Sequence, residues 1–198
     1  GEGGYIATAH TLDDSIETVL MNLVRGTGLH GLCGIPRTRG NIVRPLLDCT
    51  RAEVEEYLAQ LGQPYCTDST NLSDDYTRNR IRHEIVPRLR ELNPNFSGAI
   101  ARLLPQLAAQ WSLTEQLADS AAQQLQSACG ALHRQGLLAL PVPVCDRLLL
   151  RLLERYRLPV STAVLERMKA TLRDGGKLDV AKRAWYFAVQ GDYAALLY

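Results

Sequence analysis

No stretch of this chain is apolar for long enough to cross a bilayer, and no charged-then-apolar segment of signal type opens it. The expected setting is therefore cytoplasmic, with no membrane partner. Cysteines are few and scattered: five, at positions 33, 49, 66, 129 and 145, with no Cys-x-x-Cys pair. An odd number at such spacings argues against a disulfide framework and against a zinc or iron–sulfur site. Lysine is scarce, 3 of 22 basic residues, so the positive charge is carried almost wholly by arginine. Arginine's planar fork suits phosphates and stacked bases better than a lysine point charge, although an arginine-rich genome would produce the same ratio. Also missing are the Gly-x-x-x-x-Gly-Lys-Ser/Thr loop and a strand followed by Gly-x-Gly-x-x-Gly. Glycines at 26, 28, 31 and 34 read first as a helix stop followed by turns, and only then as a loop made for close approach to a ligand.

At 198 residues and 46% hydrophobic content the chain can bury a sizeable core in one or two domains. Its net charge of +1 conceals an asymmetry. Residues 1–129 carry 11 basic and 15 acidic side chains, whereas residues 130–198 carry 11 and 6. A basic module attached to a neutral or acidic one is implied.

The densest chemistry lies in Thr8-Ala-His-Thr-Leu-Asp-Asp-Ser-Ile-Glu-Thr18, where an apolar run, Tyr5 to Ala9, gives way to an amphipathic pattern. In open α/β sheets ligands bind at such a junction, at the carboxyl end of a strand. His10, Asp13, Asp14 and Glu17 bring one imidazole and three carboxylates there, which suits Mg²⁺, an amine or proton transfer. Capping competes with this reading, because Thr11 and Asp14 form a capping-box pair and first-turn acids complement the helix dipole. Ile16, Val19, Leu20 and Leu23 are the expected buried stripe. Asp13 and Glu17 stack four apart along its edge, a repulsive arrangement that helix stability does not ask for.

Residues 12–25 read as a helix ending near Gly26. Asn41 to Asp48 reads as a short strand bounded by Pro45. Thr50 and Glu53 should cap a helix with Val54, Tyr57, Leu58 and Leu61 on one face and Gly62 as its stop. Asp68 and Asn71 read as turn residues. Arg78 and Arg82 share a face beside Ile81 and Ile85, either as an anion site or as a solvated face paired with Glu84 or Asp75. Residues 96–127 are mainly helical, with Pro105 expected to kink or break the run. Further on, Leu137 to Leu140 reads as a strand, and Val144 to Tyr156 as a helix whose core face is Leu148, Leu149, Leu152 and Leu153. Arg147, Arg151 and Arg155 line its other side, as a solvated face or as contacts to a phosphate backbone. Ser161 should cap a helix carrying Leu165, Met168 and Leu172. Alternating stretches 177–189 and 193–198 flank a hairpin turn at Gln190-Gly-Asp192. His30 and His133 read as incidental.

Together the motifs resemble the tRNA(Ile)-lysidine synthetases, members of the PP-loop ATP-pyrophosphatase group. The matching pieces, in family order, are Ala9-His-Thr-Leu-Asp-Asp-Ser-Ile-Glu-Thr18, Leu23-Val-Arg-Gly-Thr-Gly-Leu-His-Gly-Leu32, Val43-Arg-Pro-Leu-Leu47, Asp68-Ser-Thr-Asn71 and Arg78-Asn-Arg-Ile-Arg82. The last is the most specific. The resemblance covers residues 5–110, and 130–198 match the family's substrate-binding domain by position and general pattern. It implies an α/β fold: the C-terminal part of a doubly wound, Rossmann-like PP-loop sheet domain (1–92), a helical connector (93–129) and a small basic α+β domain (130–198) that binds tRNA.

The implied reaction adenylates C2 of the wobble cytidine in the CAU anticodon of tRNA(Ile) with ATP and Mg²⁺. Free lysine then displaces AMP to give lysidine. By the same resemblance His10, Asp13 and Asp14 are catalytic with Glu17 in support, and Arg78, Asn79 and Arg82 contact nucleotide or tRNA, with Asp68 and Asn71 shaping that loop. As a carboxylate pair, Asp13 and Asp14 can hold Mg²⁺ on the phosphates or capture the ammonium of free lysine. Arg147, Arg151 and Arg155 are expected on the tRNA backbone. Two departures stand out: Ser15 replaces the family's usual Gln, and the Ser-Gly-Gly-x-Asp-Ser phosphate loop occurs nowhere. The chain is accordingly expected to be an incomplete piece, inactive alone, of a longer parent, with a second copy of that parent among its candidate partners. A non-catalytic tRNA-binding module and a PP-loop tRNA thiolase are the alternatives, the second disfavoured by the absence of paired cysteines.

Overall fold

The computed structural model describes residues 4–65, 76–181 and 184–198. They form two compact units, Gly1–Trp111 and Ser112–Tyr198.

In the first unit, strand β1 (Ile6–Ala7) pairs in parallel with β3 (Ile42–Val43), which pairs antiparallel with β2 (Thr38–Arg39). The unit is mixed α/β as expected, with a single parallel pair among the described residues. The strand expected over 41–48 is shorter and belongs to a hairpin turned by Gly40 at φ 60°. It stops ahead of Pro45, which has no N–H to give to a ladder. Helix α1 (Leu12–Arg25) begins just beyond β1, where the junction was expected. Its first backbone N–H, Leu12, donates to Cys49 O at 2.9 Å, and it stops at Gly26, φ 75°. A short helix, α2 (Leu29–Leu32), follows. Gly34, at φ 71°, brings the backbone against Ser15, which is wholly buried.

The packed line on α1 steps by four, through Leu12, Ile16 and Leu20, onto Ile81, Val86, Phe96, Ile100 and Leu104. Leu23 is exposed and Glu17 is buried, so the apolar stripe expected from spacing is displaced toward the carboxylate. Helix α3 (Arg51–Gln60) has the expected capping box, with Thr50 N donating to Glu53 Oε2 at 2.7 Å. It buries no residue fully, and Tyr57 and Leu61 remain exposed, unlike the apolar face expected there. Asp68 and Asn71 lie outside the described residues. Helix α4 (Tyr76–Arg80), a π-helical turn (Ile81–Ile85) and α5 (Val86–Leu92) follow one another directly. Helix α6 (Phe96–Leu125) then runs through Pro105 without the expected break. The proline removes one helical hydrogen bond, and apolar packing of Ile100, Ala101 and Leu104 on the α1 cluster offsets that loss.

The second unit is α+β. Its sheet order is β4-β7-β6-β5, every pair antiparallel, built from β4 (Leu132–His133), β5 (Gly176–Ala181), β6 (Trp185–Gln190) and β7 (Tyr193–Leu197). The stretch 177–189, expected as one alternating run, is two strands that reverse between Ala181 and Trp185. The expected strand at 137–140 is instead the end of helix α7 (Arg134–Ala139), which His133 Nδ1 caps by accepting from Gly136 N at 3.1 Å. Helix α8 (Val142–Arg155) buries Leu148, Leu149, Leu152 and Leu153 as expected. Ser161 caps α9 (Thr162–Asp174), which buries Leu165, Met168 and Leu172. These helices and the sheet close around Phe187.

Candidate active site at the head of the first long helix

Three carboxylates on α1 meet three arginines from the segment 78–90. Glu17, 3% exposed, is held by Arg78 Nε at 2.8 Å and by Arg82 Nε and Nη2 at 2.6 and 2.9 Å. Asp14 Oδ2 accepts from the Thr11 backbone N–H at 2.8 Å and the Thr11 hydroxyl at 3.0 Å, while its Oδ1 faces Arg78 and Arg82 at 3.5 and 3.8 Å. Asp13 Oδ1 accepts from Arg90 Nη2 at 2.7 Å and Oδ2 from the Arg51 backbone N–H at 2.7 Å. Arg90 is itself steadied by Ser97 Oγ at 3.0 Å. Asp14 thus caps the helix with Oδ2 and faces two arginines with Oδ1. The dense negative charge expected here is balanced by guanidinium groups.

Arg78 and Arg82 do bind an anion, and it is this chain's own Glu17; Arg80 takes Glu84 at 3.3 Å. Asn79 sits half-buried between Arg78 and Arg80. Arg90 was not singled out in the sequence. Its link to Asp13 spans 77 positions, and no local pattern signals it. His10 is half-buried one residue ahead of the Thr11 cap, its Nδ1 2.9 Å from Thr8 Oγ1.

Burial pushes the Asp13 carboxyl up, but the Arg51 N–H and the Arg90 guanidinium outweigh it and leave the pKa below its ordinary 3.8. A carboxylate lowered in the folded state stabilises above its unfolded pKa, and the contribution fades as pH falls through the folded value. Acid unfolding monitored by circular dichroism should therefore show a loss beginning below about pH 4. Asp13→Asn should flatten that part of the curve; an unchanged curve would mean that Asp13 is not held as described.

The same contacts test the expected Mg²⁺ ion. Asp13 has both oxygens turned to donors of this chain, and Asp14 offers only Oδ1, which faces two guanidinium groups. A divalent cation wants oxygen ligands and no positive neighbours, so these residues, as placed, do not fit one. Among the described residues no three His, Cys, Asp or Glu side chains converge as a metal site.

Elsewhere in the first unit a cavity of about 550 Å³ is bounded by Leu12, Gly34, Ile35, Leu104 and Trp111. His30 lies on its wall, 4.8 Å from the Trp111 ring. In the second unit, Arg147 pairs with Glu115 and with Glu154 at 2.9 Å, and Arg151 with Glu115 and with Asp119 at 2.7 Å. Both are mostly covered, whereas Arg155 is exposed.

The PP-loop domain family matches residues 2–89. A tRNA(Ile)-lysidine synthase of Bacteroides thetaiotaomicron is 54% identical over 95 residues, 48% of this chain and 22% of that protein. Those of Parabacteroides distasonis and Geobacillus kaustophilus are 42% and 41% identical over 154 and 162 residues, in each case 78% of this chain and 35% of the relative. The chain thus spans between about a fifth and about a third of the length of the curated relatives it matches. Residues 2–89 are thus similar to the PP-loop domain family, and up to 78% of the chain is similar to part of the tRNA(Ile)-lysidine synthases.

Proposed function

We propose that the protein to which this chain belongs is a tRNA(Ile)-lysidine synthase, an ATP-dependent carbon–nitrogen ligase. One observation carries the reading within the chain. The His-x-x-Asp-Asp-x-x-Glu segment and the Arg-Asn-x-Ile-Arg segment, 61 to 65 positions apart, lock onto each other through Glu17 on α1, the helix that follows β1. Two remote motifs that fold into one cluster at a strand's carboxyl end are well placed to serve one ligand. In this reading β1 and β3 are part of the doubly wound sheet.

The base carbonyl oxygen at C2 of the wobble cytidine attacks the α-phosphorus of ATP, and pyrophosphate leaves. The ε-amine of free lysine then attacks C2, the C2–oxygen bond breaks, and AMP departs with that oxygen. His10, with Nδ1 held at Thr8, takes the proton that the amine must lose. Asp14 caps α1 and, with Glu17 and Asp13, positions Arg78, Arg82 and Arg90. Arg78 and Arg82 present their remaining N–H groups to nucleotide or RNA phosphate, beside Asn79. Asp68 and Asn71 remain proposed substrate-binding residues on the resemblance alone.

The test supplies the full-length protein with ATP, radiolabelled lysine and an unmodified tRNA(Ile) transcript. Label should enter the CAU transcript and not one whose wobble cytidine is uridine, and His10→Ala should abolish incorporation while tRNA binding persists. Binding without incorporation by the unaltered protein would favour the non-catalytic module instead.

Arg155 is the phosphate contact proposed from α8. Arg147 and Arg151 are already occupied by carboxylates, so Arg147→Ala with Arg151→Ala should leave the salt dependence of tRNA binding nearly unchanged. A drop of about 0.7–0.9 per arginine in the log–log slope would show that they reach phosphate after all.

A further inference from the structure

At the end of α8 the chain adopts a conformation that the residue there does not favour. The Arg157 N–H donates to Glu154 O at 3.0 Å, and the Leu158 N–H to Leu153 O at 2.9 Å. These two bonds are the helix-ending pair whose left-handed position is ordinarily given to glycine. Arg157 occupies it at φ 54°, the one non-glycine residue at positive φ among those described. Arg157 is exposed, and strain kept at an exposed arginine marks a place where the side chain is wanted.

What lies beside it is aromatic. The Tyr156 ring is 4.6 Å from the Trp185 ring, which is 5.3 Å from Tyr198. Trp185 is partly buried against the core, whereas Tyr156 is 40% and Tyr198 91% exposed. Arg155 places its guanidinium 5.7 Å from the Tyr156 ring centre. Aromatic faces left in water and flanked by arginines have the chemistry of a surface for unpaired bases, because every base offers a π-face and every linkage a negative charge. Paired RNA buries its base faces, so it cannot use such a surface in this way.

We propose that Tyr156, Trp185 and Tyr198, with Arg155 and Arg157, form a stacking surface for a single-stranded segment of RNA. The identification of that RNA as part of a tRNA rests on the function proposed above; the stacking itself does not.

The test uses the whole 198-residue chain carrying Trp111→Phe, so that Trp185 is the sole tryptophan. A single-stranded RNA decamer should quench its fluorescence, and the same sequence in duplex should quench far less. Tyr198→Leu alters an almost fully exposed ring and should weaken decamer binding by about 5- to 100-fold. Arg157→Gly should lower the salt slope by about 0.7 while leaving the thermal unfolding midpoint unchanged or higher, since glycine relieves the left-handed position. An arginine kept only for structure would not separate binding from stability in this direction. Absence of quenching, or quenching that both variants leave unaltered, overturns the proposal and makes the cluster an edge of the core. Titration with an intact tRNA transcript separates the two readings. If tRNA binds and the decamer does not, the stacking surface falls alone; if neither binds, tRNA recognition by this chain falls with it.

Discussion

Glu17→Gln is expected to destabilise the first unit by about 3–5 kcal/mol, the cost typical of breaking a buried ion pair from one side. The wild-type carboxylate is 3% exposed and receives hydrogen bonds from both Arg78 and Arg82. Glutamine keeps the shape and one acceptor but leaves two guanidinium groups facing each other with the shared counter-charge gone. Asp14 cannot replace it, because its Oδ2 is held by Thr11 and its Oδ1 lies 3.5 and 3.8 Å from the two arginines. The desolvation cost of the arginines then remains while the attraction that offset it is lost. Urea unfolding of the whole chain, read by far-ultraviolet circular dichroism, measures the change. Adding Arg82→Leu to Glu17→Gln should recover part of the loss by removing one orphaned charge. A loss below about 1 kcal/mol would place the arginine heads in water, with the value of an ordinary surface pair.

Phe187→Ala should cost the second unit a similar amount, about 3–5 kcal/mol, by a different cause. Phe187 is wholly buried on β6, between Leu178 of β5 and Leu196 of β7, in a core that includes Leu149, Leu153 and Met168. Its removal gives up the transfer energy of the ring and leaves a cavity that the sheet cannot close without breaking its register. The same unfolding experiment reads it. Phe187→Leu, which refills most of the space, should lose less than half as much; equal losses would mean that the site collapses freely. Glu17 and Phe187 share no partner, so the double variant should lose close to the sum of the two.

The residues that could be placed from sequence are those whose partners are near in the chain. Thr11 with Asp14, Thr50 with Glu53 and Ser161 with Val164 close within three positions, and each forms as spacing predicts. The core faces of α8 and α9 were legible because a period of 3.6 puts every buried leucine on one side. The same logic misplaced the stripe of α1, because Glu17 is drawn inward by arginines that the periodicity of α1 cannot contain. It also merged β5 with β6, since alternation persists on both sides of a reversal.

For the candidate site the division is sharper. His10, the three carboxylates, Arg78 and Arg82 could be named from residue type and spacing, and the resemblance added the reaction. Their mutual arrangement could not be read. Whether an arginine faces water, a phosphate or a carboxylate depends on what folding brings within 3 Å, and the decisive contacts here span 61, 65 and 77 positions, or 32 and 36 for Arg147 and Arg151 with Glu115. The sequence by itself determined the helix caps, most helix faces and the chemical inventory of the site, all set by forces acting within a turn or two. Only the tertiary structure decided that Glu17 is buried, that Arg90 holds Asp13, and that Arg147 and Arg151 are already partnered, because charge pairing depends on distance in space and not on distance along the chain.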